Sequence, residues 1–142
     1  MTEDLRPLPI PDPDSADFWE GCKAHELRIK RCDDCGFYIH LPKPRCPKCW
    51  STSVSTQTVS GKGTVYSFTI VSVPTTRGFE PPYNVVLVDL IEQQGLRIMS
   101  NVIDCTEEDV QVGLPVEVTF RDVFTEDGQF EASIPQFRPV RA

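Results

Sequence analysis

The stretch Cys32-Asp-Asp-Cys-Gly-Phe-Tyr-Ile-His-Leu-Pro-Lys-Pro-Arg-Cys-Pro-Lys-Cys49 holds four of the chain's six cysteines as two Cys-x-x-Cys pairs ten residues apart. Two such turns facing each other bring four thiolates to the corners of a tetrahedron, with backbone amides of each turn free to donate to the sulfurs. Gly36 after the first pair allows the positive φ such a turn needs, and Pro47 inside the second fixes its first bend. Cys32, Cys35, Cys46 and Cys49 are therefore the expected metal ligands. Four thiolates fill the coordination shell of zinc, so the expected cofactor is one structural Zn2+ with no open position for water or substrate. Two disulfides are the alternative, disfavoured in the reducing compartment expected below. Iron in the same cage would make an electron carrier of the rubredoxin type.

Outward from the cysteines, Glu26–Arg31 and Phe37–Leu41 alternate polar and apolar residues, which implies two short strands flanking the metal knuckles. On the N-terminal side, Ser15 to about His25 reads as a short helix: Asp14 or Ser15 caps it, Asp17 and Glu20 suit its positive end, and Phe18, Trp19 and Cys22 share a stripe. Before that, four prolines between Arg6 and Asp14 exclude a helix and give an extended arm.

Beyond Ser51, β-branched and aromatic runs recur at 57–73, 83–92, 96–103, 115–123 and 129–134. Gln93-Gln94-Gly95 marks a hairpin, Gly61 and Gly63 mark a bulge or sharp coil, and Thr106-Glu-Glu-Asp109 marks one helical turn. Five strands, the first strongly bent, with a helical link between the third and fourth, suit a small closed barrel of the OB type; a small sandwich is the competing architecture. The expected class is mainly β: an arm and short helix at 1–25, a rubredoxin-like zinc ribbon at 26–54 and a five-stranded OB-fold barrel at 55–142.

At 142 residues, with 39% hydrophobic and 25% charged residues, the chain has the composition of one folded globular unit. No apolar run reaches membrane-spanning length, and Met1-Thr2-Glu3-Asp4 is acidic where a signal peptide would be basic. A cytoplasmic protein without a membrane partner is expected. The net charge of −7 argues against nucleic acid, but its distribution is uneven. Gly21–Trp50 carries seven basic and three acidic residues, whereas everything from Gly61 onward carries six basic and twelve acidic. One small segment can attract an anion while the rest repels a long one, which favours a compact ligand with few phosphates. A single-stranded nucleic-acid module would need a basic groove on the barrel, and the barrel segment is acidic.

No Gly-rich phosphate loop or nucleophile elbow occurs, and His25 and His40 are the only histidines. Cys22 and Cys105 read as ordinary free thiols. No catalytic residue is assigned, and independent catalysis is not expected.

Taken together, Phe18-Trp-Glu-Gly21, Leu27-Arg-Ile-Lys-Arg-Cys-Asp-Asp-Cys-Gly36, Pro44-Arg-Cys-Pro-Lys-Cys49, Gly61-Lys-Gly-Thr-Val-Tyr-Ser-Phe68, Gly78-Phe-Glu-Pro-Pro-Tyr83, Val112-Gly-Leu-Pro-Val116 and Phe137-Arg-Pro139 resemble one family. It is that of acyl-CoA-associated OB-fold proteins with an N-terminal rubredoxin-like zinc ribbon, the domain of unknown function thirty-five. The resemblance implies a non-catalytic subunit of a thiolase-like acyl-CoA complex, a hetero-oligomer in which the partner supplies the catalytic Cys and His and shares the CoA thioester. The N-terminal region is shorter here than in the longest members. On this basis Lys30, Arg31 and Arg45 are candidates for the CoA phosphates, the alternative being that they, with Lys43 and Lys48, offset the metal site's formal 2− charge or are solvated surface. Phe37 or Tyr38 are candidates for the adenine or pantetheine, with packing in the ribbon or barrel as their competing fate. Phe18, Trp19, Phe79 and Tyr83 are candidates for the partner interface, and Tyr66 and Phe68 for an apolar barrel face.

Overall fold

A computed structural model describes residues 6–140. The acidic start at Met1–Asp4 lies outside the described residues. After an extended arm come α1 (Ala16–Lys23), β1 (Leu27–Cys32), β2 (Tyr38–Ile39), β3 (Val54–Val59), β4 (Lys62–Val71), β5 (Tyr83–Leu90) and β6 (Arg97–Ser100). A 3-10 turn (Glu107–Asp109), β7 (Pro115–Phe124) and β8 (Phe130–Pro139) complete the order.

The helix ends because its last carbonyls are taken by a reversing turn. His25 N–H donates to the Cys22 carbonyl and Glu26 N–H to that of Gly21, with His25 left-handed at φ 58°. This is a Schellman closure with histidine where glycine is usual. His25 is held there from outside: its Nε2 lies 2.7 Å from Asp122 Oδ1, and its ring stacks on Phe120 at 5.3 Å. The end of α1 is thereby fixed to β7.

The strands form two sheets. One runs β2-β1-β3, all antiparallel; the other runs β6-β5-β4-β7-β8. The second sheet nearly closes on itself through a parallel bridge between Val102, just past β6, and Phe137 of β8. A first strand paired to the second and fourth, with third and fifth meeting in parallel, is OB topology, and the fold is mostly β as expected. The long run expected at 57–73 breaks at Ser60-Gly61. Its first part, β3, pairs with β1 from Leu27↔Val59 to Cys32↔Val54, so a third strand joins the ribbon sheet.

Glycine at 61 and 63 is required by close approach. Gly61 sits at φ 77° against Val118, and a Cβ on Gly63 would run into the Asp89 carbonyl oxygen and Val88. The irregularity itself falls between Val65 and Ser67. The final strand extends to Pro139, further than the run at 129–134 suggested.

Ribbon and barrel share one core. Leu27, Ile29 and Val59 from the ribbon pack with Val65, Val86, Val88, Ile98, Val116 and Phe137 of the barrel. Burying a side chain of Phe137's size fully contributes about 2–3 kcal/mol, and Phe137 is 0% exposed. A smaller cluster of Cys32, Ile39 and Cys46, with Phe37 and Val54 against it, fills the ribbon behind the sulfurs. No helix among the described residues is long and apolar enough to cross a membrane.

Candidate functional site: a metal knuckle and an apolar cleft

The ligand atoms of Cys32, Cys35, Cys46 and Cys49 all lie within 4.8 Å of one another. Cys32 and Cys49 sulfurs are 3.5 Å apart, and those of Cys35 and Cys46 3.6 Å. A zinc–sulfur bond of about 2.3 Å sets tetrahedral sulfurs roughly 3.8 Å apart, so these four fit the ion. Each knuckle points an amide at a sulfur: Cys35 N–H at Cys32 Sγ (3.5 Å) and Lys48 N–H at Cys46 Sγ (3.4 Å). The Cys35 amide is the main cause holding the Cys32 thiol down to about 7, while the Cys49 thiol, despite the Ser51 amide, is pushed up to about 12 by the sulfurs crowded around it. It is therefore a cation at the centre that would let all four be thiolates together. The four cysteines form a site for one structural zinc.

The two knuckles solve the same backbone problem differently. The residue after the second cysteine is left-handed in both: Gly36 at φ 78° and Trp50 at φ 65°. Glycine adopts this region freely, whereas a bulky residue there costs about 1–2 kcal/mol. Hydrogen bonds from Trp50 N–H to the Cys46 carbonyl and from Cys46 N–H to the Ser51 carbonyl, both 2.9 Å, enforce the turn.

An apolar cleft of about 500 Å³ opens where α1, the ribbon and the barrel meet. Phe18 and Trp19 enter it from α1, Phe79 from the β4–β5 connection and Tyr83 from β5. The four candidates for partner contact are thus brought to one surface. Phe18 and Trp19 meet edge to face at 5.0 Å, and Phe79 and Tyr83 lie 5.3 Å apart. The arm contributes too, with the Arg6 guanidinium 4.8 Å over the Phe79 ring. His40, whose ring is 5.6 Å from Phe18, also lines the cleft, and burial lowers its pKa, keeping it neutral.

Sequence reasoning missed several lining residues. Leu41 and Met99 line the cleft yet are 72% and 67% exposed. Leu41-Pro42 directly after a strand ending in the ribbon was the available signal for the first; Met99 lies in an ordinary strand run and carried none. Tyr66 and Phe68 are exposed on the barrel but do not line the cleft, and Tyr66 is covered by the Arg97 guanidinium at 3.7 Å.

The candidates for CoA contact are not gathered in the same way. Lys30 and Arg31 are successive strand residues and project from opposite faces of β1. Arg31 donates to the Gly36 carbonyl (2.9 Å) and to Gln57 (3.2 Å), and lies 4.6 Å over the Tyr38 ring. Phe37 packs on the sulfur cluster with Lys48 Nζ 5.9 Å above it. Arg45 is exposed beside Cys46.

Residues 19–55 match the model of the ChsH2 rubredoxin-like zinc ribbon domain, and residues 56–121 that of the ChsH2 C-terminal OB-fold domain. A DUF35 domain-containing scaffold protein of Methanocaldococcus jannaschii is 37% identical over 100 residues, 69% of each chain. The chain belongs to the DUF35 family. Its DUF35 fold also superimposes on the structure titled Ltp2-ChsH2(DUF35) aldolase with a TM-score of 0.81 and 33% identity, covering 93% of this chain and 98% of that one. The 3-oxo-4,17-pregnadiene-20-carboxyl-CoA hydratase alpha subunit of Mycobacterium tuberculosis is 36% identical over 126 residues, 86% of this chain. A probable enoyl-CoA hydratase alpha subunit of Thermomonospora curvata is 35% identical over 136 residues, 96% of this chain. This DUF35 chain spans 40% of the length of each of those two subunits.

Proposed function

We propose that this DUF35 protein is a cytoplasmic, non-catalytic, zinc-bearing subunit of a thiolase-like acyl-CoA enzyme complex. It binds the catalytic partner through the cleft and shares with it the CoA thioester. The observation that carries this reading is the convergence of Phe18, Trp19, Phe79 and Tyr83, from three separate parts of the fold, on one open apolar surface rimmed by exposed Leu41 and Met99. Large exposed apolar patches on a folded chain mark binding surfaces, and aromatic residues dominate their energetics. The relatives' names support the subunit part of this reading, since they describe alpha subunits of CoA-thioester hydratases, a scaffold protein and an Ltp2-ChsH2(DUF35) aldolase. For the phosphates of the thioester, Lys30 and Arg45 serve; Arg31 reaches them only by giving up Gly36 and Gln57.

Affinity capture of the tagged protein from its native cells tests this directly. Stoichiometric recovery of an acyl-CoA enzyme is expected, with a thiolase-like protein as the specific outcome. Recovery of nucleic acid, or of iron with a reductase and no acyl-CoA enzyme, would overturn it.

A further inference from the structure

We infer that Trp50, with Lys43, Arg45 and Lys48 around it, is the docking point for the adenine nucleotide end of the CoA thioester. The inference rests on the CoA binding proposed above and assigns it a site that Phe37 and Tyr38 do not supply. Stacking a base needs an uncovered aromatic face. Tyr38 is covered by the Arg31 guanidinium, Phe37 packs on the sulfur cluster beneath Lys48, and Trp19 faces Phe18 in the cleft. Trp50 is 71% exposed.

Its setting is also electrically distinct. Residues 41–50 contain three cations and no carboxylate, on a chain of net charge −7. Lys43, Arg45 and Lys48 are all exposed. Asp34, which accepts a hydrogen bond from the Ser51 hydroxyl, and Asp33, which accepts one from Ser55 (2.5 Å), keep their charges, and four thiolates around one zinc add a formal 2−. The attraction for a phosphate is therefore local to the exposed tips of Lys43, Arg45 and Lys48. A short cationic turn on an acidic molecule suits a compact ligand with few phosphates and repels a long polyanion.

The backbone supplies the third observation. The first knuckle places glycine at the left-handed position; the second holds tryptophan there, against its conformational preference, and turns the indole into solvent. A bulky residue kept in such a conformation at an exposed place, without a packing role to explain it, marks a functional position. Because two backbone hydrogen bonds, Trp50 N–H to the Cys46 carbonyl and Cys46 N–H to the Ser51 carbonyl, fix the turn, the backbone that carries the indole is set before the ligand arrives.

The test is a calorimetric and fluorescence titration of the zinc-loaded protein with adenosine 3′,5′-bisphosphate, beside pantetheine and a single-stranded oligonucleotide. The bisphosphate is expected to bind saturably and quench Trp50 emission, as read in a Trp19→Phe background, while pantetheine does not. Trp50→Gly copies the first knuckle and should keep zinc and thermal stability while weakening the bisphosphate about tenfold or more. Trp50→Phe should retain most affinity. Changing Lys43, Arg45 and Lys48 to Gln should weaken binding and flatten its salt dependence. Wild-type affinity in Trp50→Gly, or preference for the oligonucleotide, overturns the inference, as does competition by an acidic protein surface without any nucleotide binding. If the bisphosphate binds but no acyl-CoA enzyme is captured, the nucleotide site stands and the accessory-subunit reading falls. If the complex assembles and Trp50→Gly binds the bisphosphate like wild type, the reverse holds.

Discussion

Gln93 grips the backbone of Tyr38 from both sides: its side-chain oxygen accepts from the Tyr38 N–H at 2.8 Å and its amide nitrogen donates to the Tyr38 carbonyl at 3.1 Å. A glutamine in the β5–β6 turn thus completes the edge of a two-residue ribbon strand, as a neighbouring strand would. Gln93→Ala leaves two partly buried backbone groups unpaired, at a cost of about 1–3 kcal/mol. We expect Tm to fall by roughly 3–10 °C and amide exchange at residues 37–39 to accelerate. Gln93→Glu, which keeps only the acceptor, should fall between; an unchanged melting curve would show the grip contributes nothing.

Removing the metal should affect more than the ribbon. Leu27, Ile29 and Val59 belong to the barrel core, so β1 and β3 cannot loosen without opening it. Cys46→Ala, or chelation, should abolish binding of one zinc per chain and lower a single calorimetric transition. Acid should release the metal as well, since protons compete for the thiolates. A barrel transition that stays in place while the ribbon melts separately would contradict the shared core.

Asp122 gives a pH dependence with a defined sign. Its hydrogen bond from His25, then that from Ser133, hold its carboxyl below the usual value. A carboxyl depressed on folding stabilises the native state above its ordinary pKa, near 3.8, and loses that contribution as pH falls through the native value. His25→Ala should therefore raise the Asp122 pKa in an NMR titration and reduce the loss of stability on the acid side of that window. The end of α1 should fray at the same time.

The cleft can be tested without disturbing the core. Leu41→Asp and Met99→Asp place charges where the native side chains are mostly in water, so zinc content and Tm should stay near wild type. Recovery of the captured partner should drop by tenfold or more. Retained recovery in both variants would move the interface elsewhere.

Gly63→Ala should be the most damaging single methyl in the barrel. Its Cβ would meet backbone of β5, which cannot yield as a side-chain tip can. A loss of several kcal/mol, or failure to fold, is expected, against about 0.5–1 kcal/mol gained by alanine at an unhindered extended site.

The metal site was fully legible because ligand spacing is a local property, and the barrel because β-branched runs and turn residues recur in order. The strand break at Ser60-Gly61 was not, since Val54–Val59 and Lys62–Val71 have the same texture and only pairing with β1 separates them. β8 was underestimated because Pro135 and Pro139 lower strand propensity. In the fold, Pro135 sits opposite Phe120 and its carbonyl accepts from the Ser100 hydroxyl. The end of α1 near His25 was legible, but not the way it is made, because Asp122, which holds His25 in its left-handed conformation, is 97 positions away. The cleft was legible as four aromatic residues but not as a place, since its walls come together only when ribbon and barrel pack.

The bridge between Val102 and Phe137 carries a consequence for biosynthesis. The ribbon's three strands are complete once Val59 has been made, and zinc can be captured then. The barrel is different: the largest of its fully buried side chains, Phe137, and the strand that seals its open side both come from β8. A nascent chain therefore carries four barrel strands with a bare edge and an unfilled interior until β8 clears the ribosome. During that interval the metal-bound ribbon is the part already finished, and its Leu27, Ile29 and Val59 offer the first apolar surface on which the barrel strands can gather.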